Sequence, residues 1–127
     1  MEVVSSEEMA RIEHLACNKG AKEEDFMEAA GRGIALHVQS FIQERGLARV
    51  ITLLCGKGNN AGDAYVAGTL LHSLGFSVSA YQLVPIDESS SLCHRHRLRF
   101  IAEGGFVKEI GSAADCRFPS GGVIVAA

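Results

Sequence analysis

Apolar positions recur along this chain in two distinct periods, and the change from one to the other marks out the elements. Behind Ser5-Ser6-Glu7-Glu8, the residues Met9, Ile12 and Leu15/Ala16 return at helical spacing. Ser5 and Glu8 have capping-box spacing, so hydroxyl and carboxylate can each satisfy an orphan backbone donor. Asn18-Lys19-Gly20 closes this first predicted helix. A second helix is predicted from about Lys22 to Arg45, with Glu23, Glu24 and Asp25 in its first turn, where the helix dipole favours acids. Phe26, Met27, Ala30, Ile34, His37/Val38 and Phe41 trace one face, and Gly46 ends it. Gly31 and Gly33 each weaken helix propensity by about 1 kcal/mol relative to Ala, which predicts close packing against another backbone.

From Arg49 the period shortens. Arg49–Cys55 is a continuous apolar run rich in branched residues, the pattern of a strand buried on both faces. A glycine-rich turn, Gly56 to Asp63, follows it, then a helix to about Leu74 ended by Gly75. Phe76 to Val84 is a second predicted strand, stopped by Pro85. Ser89 to Ala102 is amphipathic, with Leu92, Leu98, Ile101 and Ala102 expected inward. Phe106 to Ile110 and Gly122 to Ala126 are two further short strands. Strands alternating with helices predict an α/β fold, and right-handed crossovers make its sheet parallel. The expected architecture is a Rossmann-like, three-layer α/β/α domain with a mostly parallel sheet, preceded by two N-terminal helices. The apolar run Val123-Ile124-Val125-Ala126 ends the chain where a central strand would feed a further loop and helix. The expectation is therefore one domain, 1–127, truncated at its C-terminal end.

Composition narrows the function classes. A length of 127 residues leaves room for one domain. A net charge of -3 gives no general pull toward nucleic acid. No apolar run approaches the roughly 20 residues needed to span a bilayer, and the acidic N-terminus lacks the form of a signal peptide, so neither nucleic acid nor membrane is an expected partner and a cytoplasmic location is expected. Cys17, Cys55, Cys93 and Cys116 form no C-x-x-C pair and read as buried or incidental thiols.

Gly56-Lys57-Gly58-Asn59-Asn60-Ala61-Gly62-Asp63-Ala64 carries the chemistry. It lies between a buried strand and a helix, where open α/β sheets bind ligands. Gly56 and Gly58 let backbone approach an anion, and the helix N-terminus behind them offers unpaired N–H groups, so a phosphate or pyrophosphate is the natural guest. Gly56, Gly58 and Ala61 satisfy the loose dinucleotide fingerprint. The acid that fingerprint wants at the end of the second strand is absent, for Tyr81-Gln82-Leu83 stands there, which disfavours a standard dehydrogenase. Asn59, Asn60 and Asp63 offer a cluster of oxygens suited to a hard cation or to sugar hydroxyls. The bland reading has the two amides hold a left-handed turn while Asp63 caps the next helix.

The same residues resemble a known family. The strand followed by G-x-G-N-N-x-G-D-x, then Tyr65-Val66-Ala67-Gly68, Leu70-Leu71 and Gly75, is similar to the YjeF N-terminal domains, the NAD(P)H-hydrate epimerases. Phe26-Met27-Glu28-Ala29-Ala30-Gly31-Arg32 resembles that family's L-M-E-x-A-G segment, and Val4-Ser5-Ser6-Glu7-Glu8-Met9 its opening. The resemblance covers nearly the whole chain. It implies an isomerase of nucleotide repair, interconverting the R and S forms of NADHX or NADPHX. Gly56, Gly58, Asn59, Asn60, Ala61, Gly62 and Asp63 would bind substrate, Asp63 would do acid–base work, and Asn60 would give an oxygen to a potassium ion. It further implies a homodimer and, in the parent protein, fusion to an ADP- or ATP-dependent NAD(P)H-hydrate dehydratase domain. The family prefers N-N-G-G-D-G, whereas Ala61 and Ala64 stand at two of those glycines. At a positive φ an alanine would cost on the order of 1 kcal/mol or more. The family's fourth strand reads V-I-V-D-A, and here Ala126 takes the place of its acid. Low epimerase activity of these 127 residues alone follows as an expectation.

Two rivals remain: a non-catalytic dimerising or protein-binding module of the same fold, favoured by Ala126, and a generic Rossmann-type nucleotide binder. Cys93-His94-Arg95-His96, with Arg97 and Arg99, cannot converge on one metal ion from consecutive helical positions and reads as a solvated face. Tyr65 and Tyr81 read as packing residues.

Overall fold

The computed structural model describes residues 2–5, 7–8, 11, 23–56, 59–118 and 121–127. In chain order these form β1 (Glu2–Val4), α1 (Glu23–Arg45), β2 (Val50–Cys55), α2 (Asn59–Ser73), β3 (Ser77–Gln82), a 3-10 turn at Ile86–Glu88, α3 (Ser91–Ala102), β4 (Phe106–Glu109), a 3-10 turn at Ala113–Asp115, and β5 (Val123–Ala126). The five strands form one sheet in the order β1-β5-β2-β3-β4, every pair parallel. The α/β, Rossmann-like expectation is borne out.

Two local expectations changed, and a third lies mostly outside the described residues. No strand was foreseen before the first helix, yet Glu2–Val4 pairs with Val123–Val125 and extends the sheet beyond β5. Three residues are too short a run to show a period, and only a partner strand reveals them. The first predicted helix lies mostly outside the described residues, although Ser5 Oγ does accept from the Glu8 backbone N–H at 3.2 Å, the first half of the expected cap. The glycine-rich turn is shorter than expected, because the helix already begins at Asn59.

Register fixes which side chains share a face. Ile51, Val78 and Val123 stand side by side, as do Leu53, Ala80 and Val125. All six are buried in one cluster with Ile34, Val38 and Ile42 of α1, Ala64, Tyr65 and Leu71 of α2, and Phe100 of α3. The three helices therefore cover one face of the sheet, as successive right-handed crossovers in one direction require. On the other face lie Thr52, Leu54, Tyr81 and Ile124, where the β4–β5 connection passes over Tyr81. The Tyr81 hydroxyl donates to the Arg117 carbonyl at 3.3 Å and accepts from the Arg117 N–H at 3.4 Å.

Helix α2 is buried on every side from Ala61 to Thr69, which explains its lack of an amphipathic stripe. It is pressed between α1 and α3. A methyl at Gly31 of α1 would collide with Val66 of α2 and stand 3.0 Å from the Asp63 carbonyl, so the close approach expected there is present.

Helix α3 turns a different face inward from the one expected. Cys93, His96 and Phe100 are buried, while Leu98 and Ile101 remain 50% and 40% exposed. The basic cluster is a solvated face only in part: Arg95 and Arg99 are exposed, whereas His96 is buried. Arg95 donates to Glu24 at 2.7 Å and Arg99 to Glu28 at 3.0 Å, so α3 docks on α1 through charge pairs. The acids crowding the first turns of α1 serve these partners as well as the dipole. His96 lies between them, 3% exposed, with Nδ1 3.9 Å from Glu28 Oε1.

Candidate functional site

β2 lies between β3, to which the chain runs next, and β5, to which it returns last. Connections leave that point in opposite directions, and such a reversal opens a crevice at the carboxyl ends of the strands. The strand ends are tied together there. Gly56 N donates to the Ala127 carbonyl, Ala127 N to the Leu54 carbonyl and Leu83 N to the Cys55 carbonyl, each at 2.8 Å. A Cβ on Gly56 would stand 3.3 Å from the Ala127 oxygen, so the strand end tolerates little bulk. The helix fed from this point starts at Asn59, so its N-terminus, where backbone N–H groups have no intrahelical partner, lies at the crevice end of the sheet.

The expected site residues divide into three groups. Gly56 is half-buried at the end of β2, and Asn60 is half-buried on the first turn of α2. Gly58 lies outside the described residues, and of Asn59 only the backbone, opening α2, is described. Ala61, Gly62 and Asp63 are buried within the helix. The bland reading of Asp63 as a helix cap is corrected, since it is the fifth residue of α2 and not its boundary. Neither Ala61 nor Ala64 has a positive φ, so replacing the family's glycines carries no backbone strain at either position. Both alanines pack in the core cluster.

Beneath this turn lies a buried polar network that sequence reasoning missed. Gln82, the last residue of β3, is fully buried. Its Oε1 accepts from the Tyr65 hydroxyl, and its Nε2 donates to the Gly56 carbonyl at 3.3 Å. The Cys55 thiol lies beside the Tyr65 hydroxyl, and each shifts the other's ionisation. Burial pushes the Cys55 thiol up to about 12, partly offset by Tyr65 and by the charge of Arg97. Burial likewise raises Tyr65, and the neighbouring Cys55 adds to the rise. Burial raises Cys93, with Asp63 adding its negative charge and Arg97 opposing it. Arg97 is thus the cation that Cys55, Tyr65 and Cys93 all feel. Its half-buried position and its Nε, buried without a hydrogen-bond partner, set it apart from the solvent-facing arginines of the same helix. The signal was present in the sequence: Cys93, His96 and Arg97 fall on neighbouring positions of one helical face.

A cavity of about 460 Å³ opens further along the same end of the sheet, lined by Tyr81, Lys108, Glu109, Gly111, Asp115 and Arg117. Among the described residues no group of three or more His, Cys, Asp or Glu side chains could hold a metal ion. Among them, too, no helix is long and apolar enough to cross a membrane.

Comparison with known proteins is consistent with this geometry. The family model described as YjeF-related protein N-terminus matches residues 23–126. The bifunctional NAD(P)H-hydrate repair enzyme Nnr of Thermofilum pendens is 32% identical over 105 residues, covering 82% of this chain and 20% of that protein. The NAD(P)H-hydrate epimerase of Elusimicrobium minutum is 31% identical over 90 residues, covering 70% of this chain and 41% of that protein. The NAD(P)H-hydrate epimerase of Roseobacter litoralis is 35% identical over 83 residues, covering 63% and 36% respectively. The chain therefore spans less than half the length of each of these relatives.

Proposed function

The chain belongs to the family of the YjeF-related protein N-terminus, and from that membership we propose that it is an NAD(P)H-hydrate epimerase domain, an isomerase that interconverts the R and S forms of NADHX or NADPHX in nucleotide repair. The observation that carries the reading is the junction between β2, left at Gly56, and the N-terminus of α2 at Asn59, at the point where the sheet reverses. There the free N–H groups of α2 would meet the pyrophosphate. Asn60, on the rim, would hydrogen-bond the hydrated ring or its ribose. Inversion at a ring carbon needs a bond there to be lost and remade, and a carboxylate can take and return a proton. Asp63, on the second turn of α2, is the acid nearest this junction in sequence, and its burial shields it from bulk water.

A potassium ion belongs to the proposal as a binding contribution only. Asn60 offers one neutral oxygen of the right hardness. β5 offers Ala126, a methyl where the family carries an acid, so the side chains described here do not complete an oxygen cage. Low turnover by these 127 residues is the expected consequence. The bifunctional names of several relatives support a parent protein in which this domain is fused to an ADP- or ATP-dependent dehydratase. A cytoplasmic setting goes with that role.

The decisive assay incubates the chain with a single NADPHX epimer, with and without potassium, and resolves R from S by chromatography. Slow equilibration of the two epimers above the spontaneous rate supports the reading. Equilibration no faster than buffer, together with no thermal shift on adding NADP⁺, removes it. A second reading, a non-catalytic module that dimerises or binds protein, is favoured by Ala126 and by Leu36 and Leu74, 59% and 50% exposed along one shallow groove between α1 and α2. Self-association by light scattering, without any nucleotide response, would favour that module.

A further inference from the structure

We propose that Gln82, held in place by Tyr65, is the positioning residue that sets the span of the nucleotide-binding turn between β2 and α2. The inference rests on the reading of that turn as nucleotide-binding, and it assigns a role to two residues that contact no substrate.

Gly56 is the residue at which the chain leaves β2 and enters the turn, and Tyr65 sits on the helix into which the turn leads. A single carboxamide joins them: Gln82 Nε2 donates to the Gly56 carbonyl at 3.3 Å while Oε1 accepts from the Tyr65 hydroxyl. Entry strand and exit helix are therefore clamped through a third element, β3, whose own backbone bonds β2 alongside, from Leu83 N to the Cys55 carbonyl at 2.8 Å. On the far side Gly56 N reaches the Ala127 carbonyl. The mouth of the turn is thus held by β3 and by β5.

A carboxamide suits this place. The clamp needs a donor toward a carbonyl and an acceptor toward a hydroxyl from one buried group. An ionised carboxylate accepts only, and it would face the Gly56 oxygen. Dinucleotide-binding sheets commonly use the end of this strand for a carboxylate that takes a ribose hydroxyl. Here that position is fully buried and turned under the turn, so it acts on the nucleotide through the backbone. Tyr65 is fixed in turn by its ring, which lies 5.9 Å from that of Phe100, and by the Cys55 thiol beside its hydroxyl.

The test compares Gln82→Met, which keeps volume and removes both bonds, with Tyr65→Phe, which keeps the ring and frees one end of the clamp. Two readouts are taken at a temperature where circular dichroism shows each variant folded: site-resolved amide hydrogen exchange, and NADP⁺ affinity by titration calorimetry. In Gln82→Met the Gly56 and Leu83 amides should exchange about tenfold faster, as expected for loss of a buried hydrogen bond, while Leu53 and Val125 keep their protection. The NADP⁺ dissociation constant should rise by about the same factor, and by less in Tyr65→Phe. Uniform acceleration across the sheet would mean that Gln82 serves stability alone and would overturn the proposal. So would unchanged NADP⁺ affinity in a variant whose Gly56 amide has loosened. If the parent chain binds no NADP⁺, the epimerase reading is what fails, and the exchange pattern at Gly56 and Leu83 then decides the clamp by itself.

Discussion

Substituting Gly31 by alanine sets two physical effects against each other, and the structure says which wins. Gly31 lies inside α1, and alanine there favours the helix by about 1 kcal/mol. On propensity alone Gly31→Ala would stabilise. The new methyl, however, would overlap Cβ and Cγ1 of Val66 and stand 3.0 Å from the Asp63 carbonyl. Neither obstacle can swing aside, because Val66 is β-branched and stiff and the other is helix backbone. The helices must part, and overpacking of this kind costs roughly 1–3 kcal/mol. Overlap with two Val66 carbons puts the cost in the upper part of that range, about 2–3 kcal/mol, so the net loss after the propensity gain is about 1–2 kcal/mol, which lowers the melting temperature of a domain this size by roughly 3–10 °C. Gly62→Ala is the internal control. Its methyl would meet Met27 Sδ at 2.5 Å and Cε at 2.6 Å, the far end of a flexible side chain that can move away. Thermal unfolding of both variants by calorimetry checks the reasoning. A Gly31→Ala protein that melts at or above the parent temperature would show that propensity outweighs packing here, and so would a Gly62→Ala protein that loses more than Gly31→Ala. Because the Asp63 carbonyl is one of the two obstacles, the same variant should also weaken NADP⁺ binding.

Other expectations follow from the charge pairs, the thiols and the site. Burial lowers the His96 pKa below its usual 6.5, with Glu28 partly opposing, so the unfolded chain binds the proton more readily. His96 therefore contributes stability above about pH 6.5 that is lost as pH falls toward its folded value; chemical denaturation from pH 7.5 to 5 should show a shallower acid loss in His96→Gln than in the parent. Arg95→Ala and Arg99→Ala break half-exposed ion pairs and should each cost less than about 1 kcal/mol, measured by urea midpoint. With its thiol held at about 12, Cys55 should resist iodoacetamide at pH 8 in the native protein and react once unfolded, as peptide mass mapping would reveal. Ala126→Asp restores an acid at the end of β5; it should raise NADPHX turnover and make it potassium-dependent, and turnover that stays flat with potassium would argue against a cation site there.

The one-dimensional pattern was sufficient for the parts of this protein in which local period and burial coincide. The continuous run Arg49–Cys55 read as a strand buried on both sides, and the Gly46 and Gly75 stops bounded their helices because few other residues accept the left-handed backbone found at both. The end of that strand at Gly56 was legible as well, but not the start of the next helix, which begins at Asn59 and takes in Asp63. What the sequence could not decide was orientation between elements. On α3, Leu98 and Ile101 looked like core residues by hydropathy, yet the helix turns Cys93, His96 and Phe100 inward. Two acids on α1, Glu24 and Glu28, hold its arginines on the other side, and those acids are seventy-one residues away along the chain. β1 needed β5 to become a strand at all. The contact between Gln82 and Gly56 needed the whole sheet, because the two residues meet only when parallel pairing sets β3 beside β2 in one particular register. Turn chemistry is written in neighbouring residues, whereas the face a helix buries and the partner a buried amide finds are settled by how separate elements pack, which no local pattern encodes.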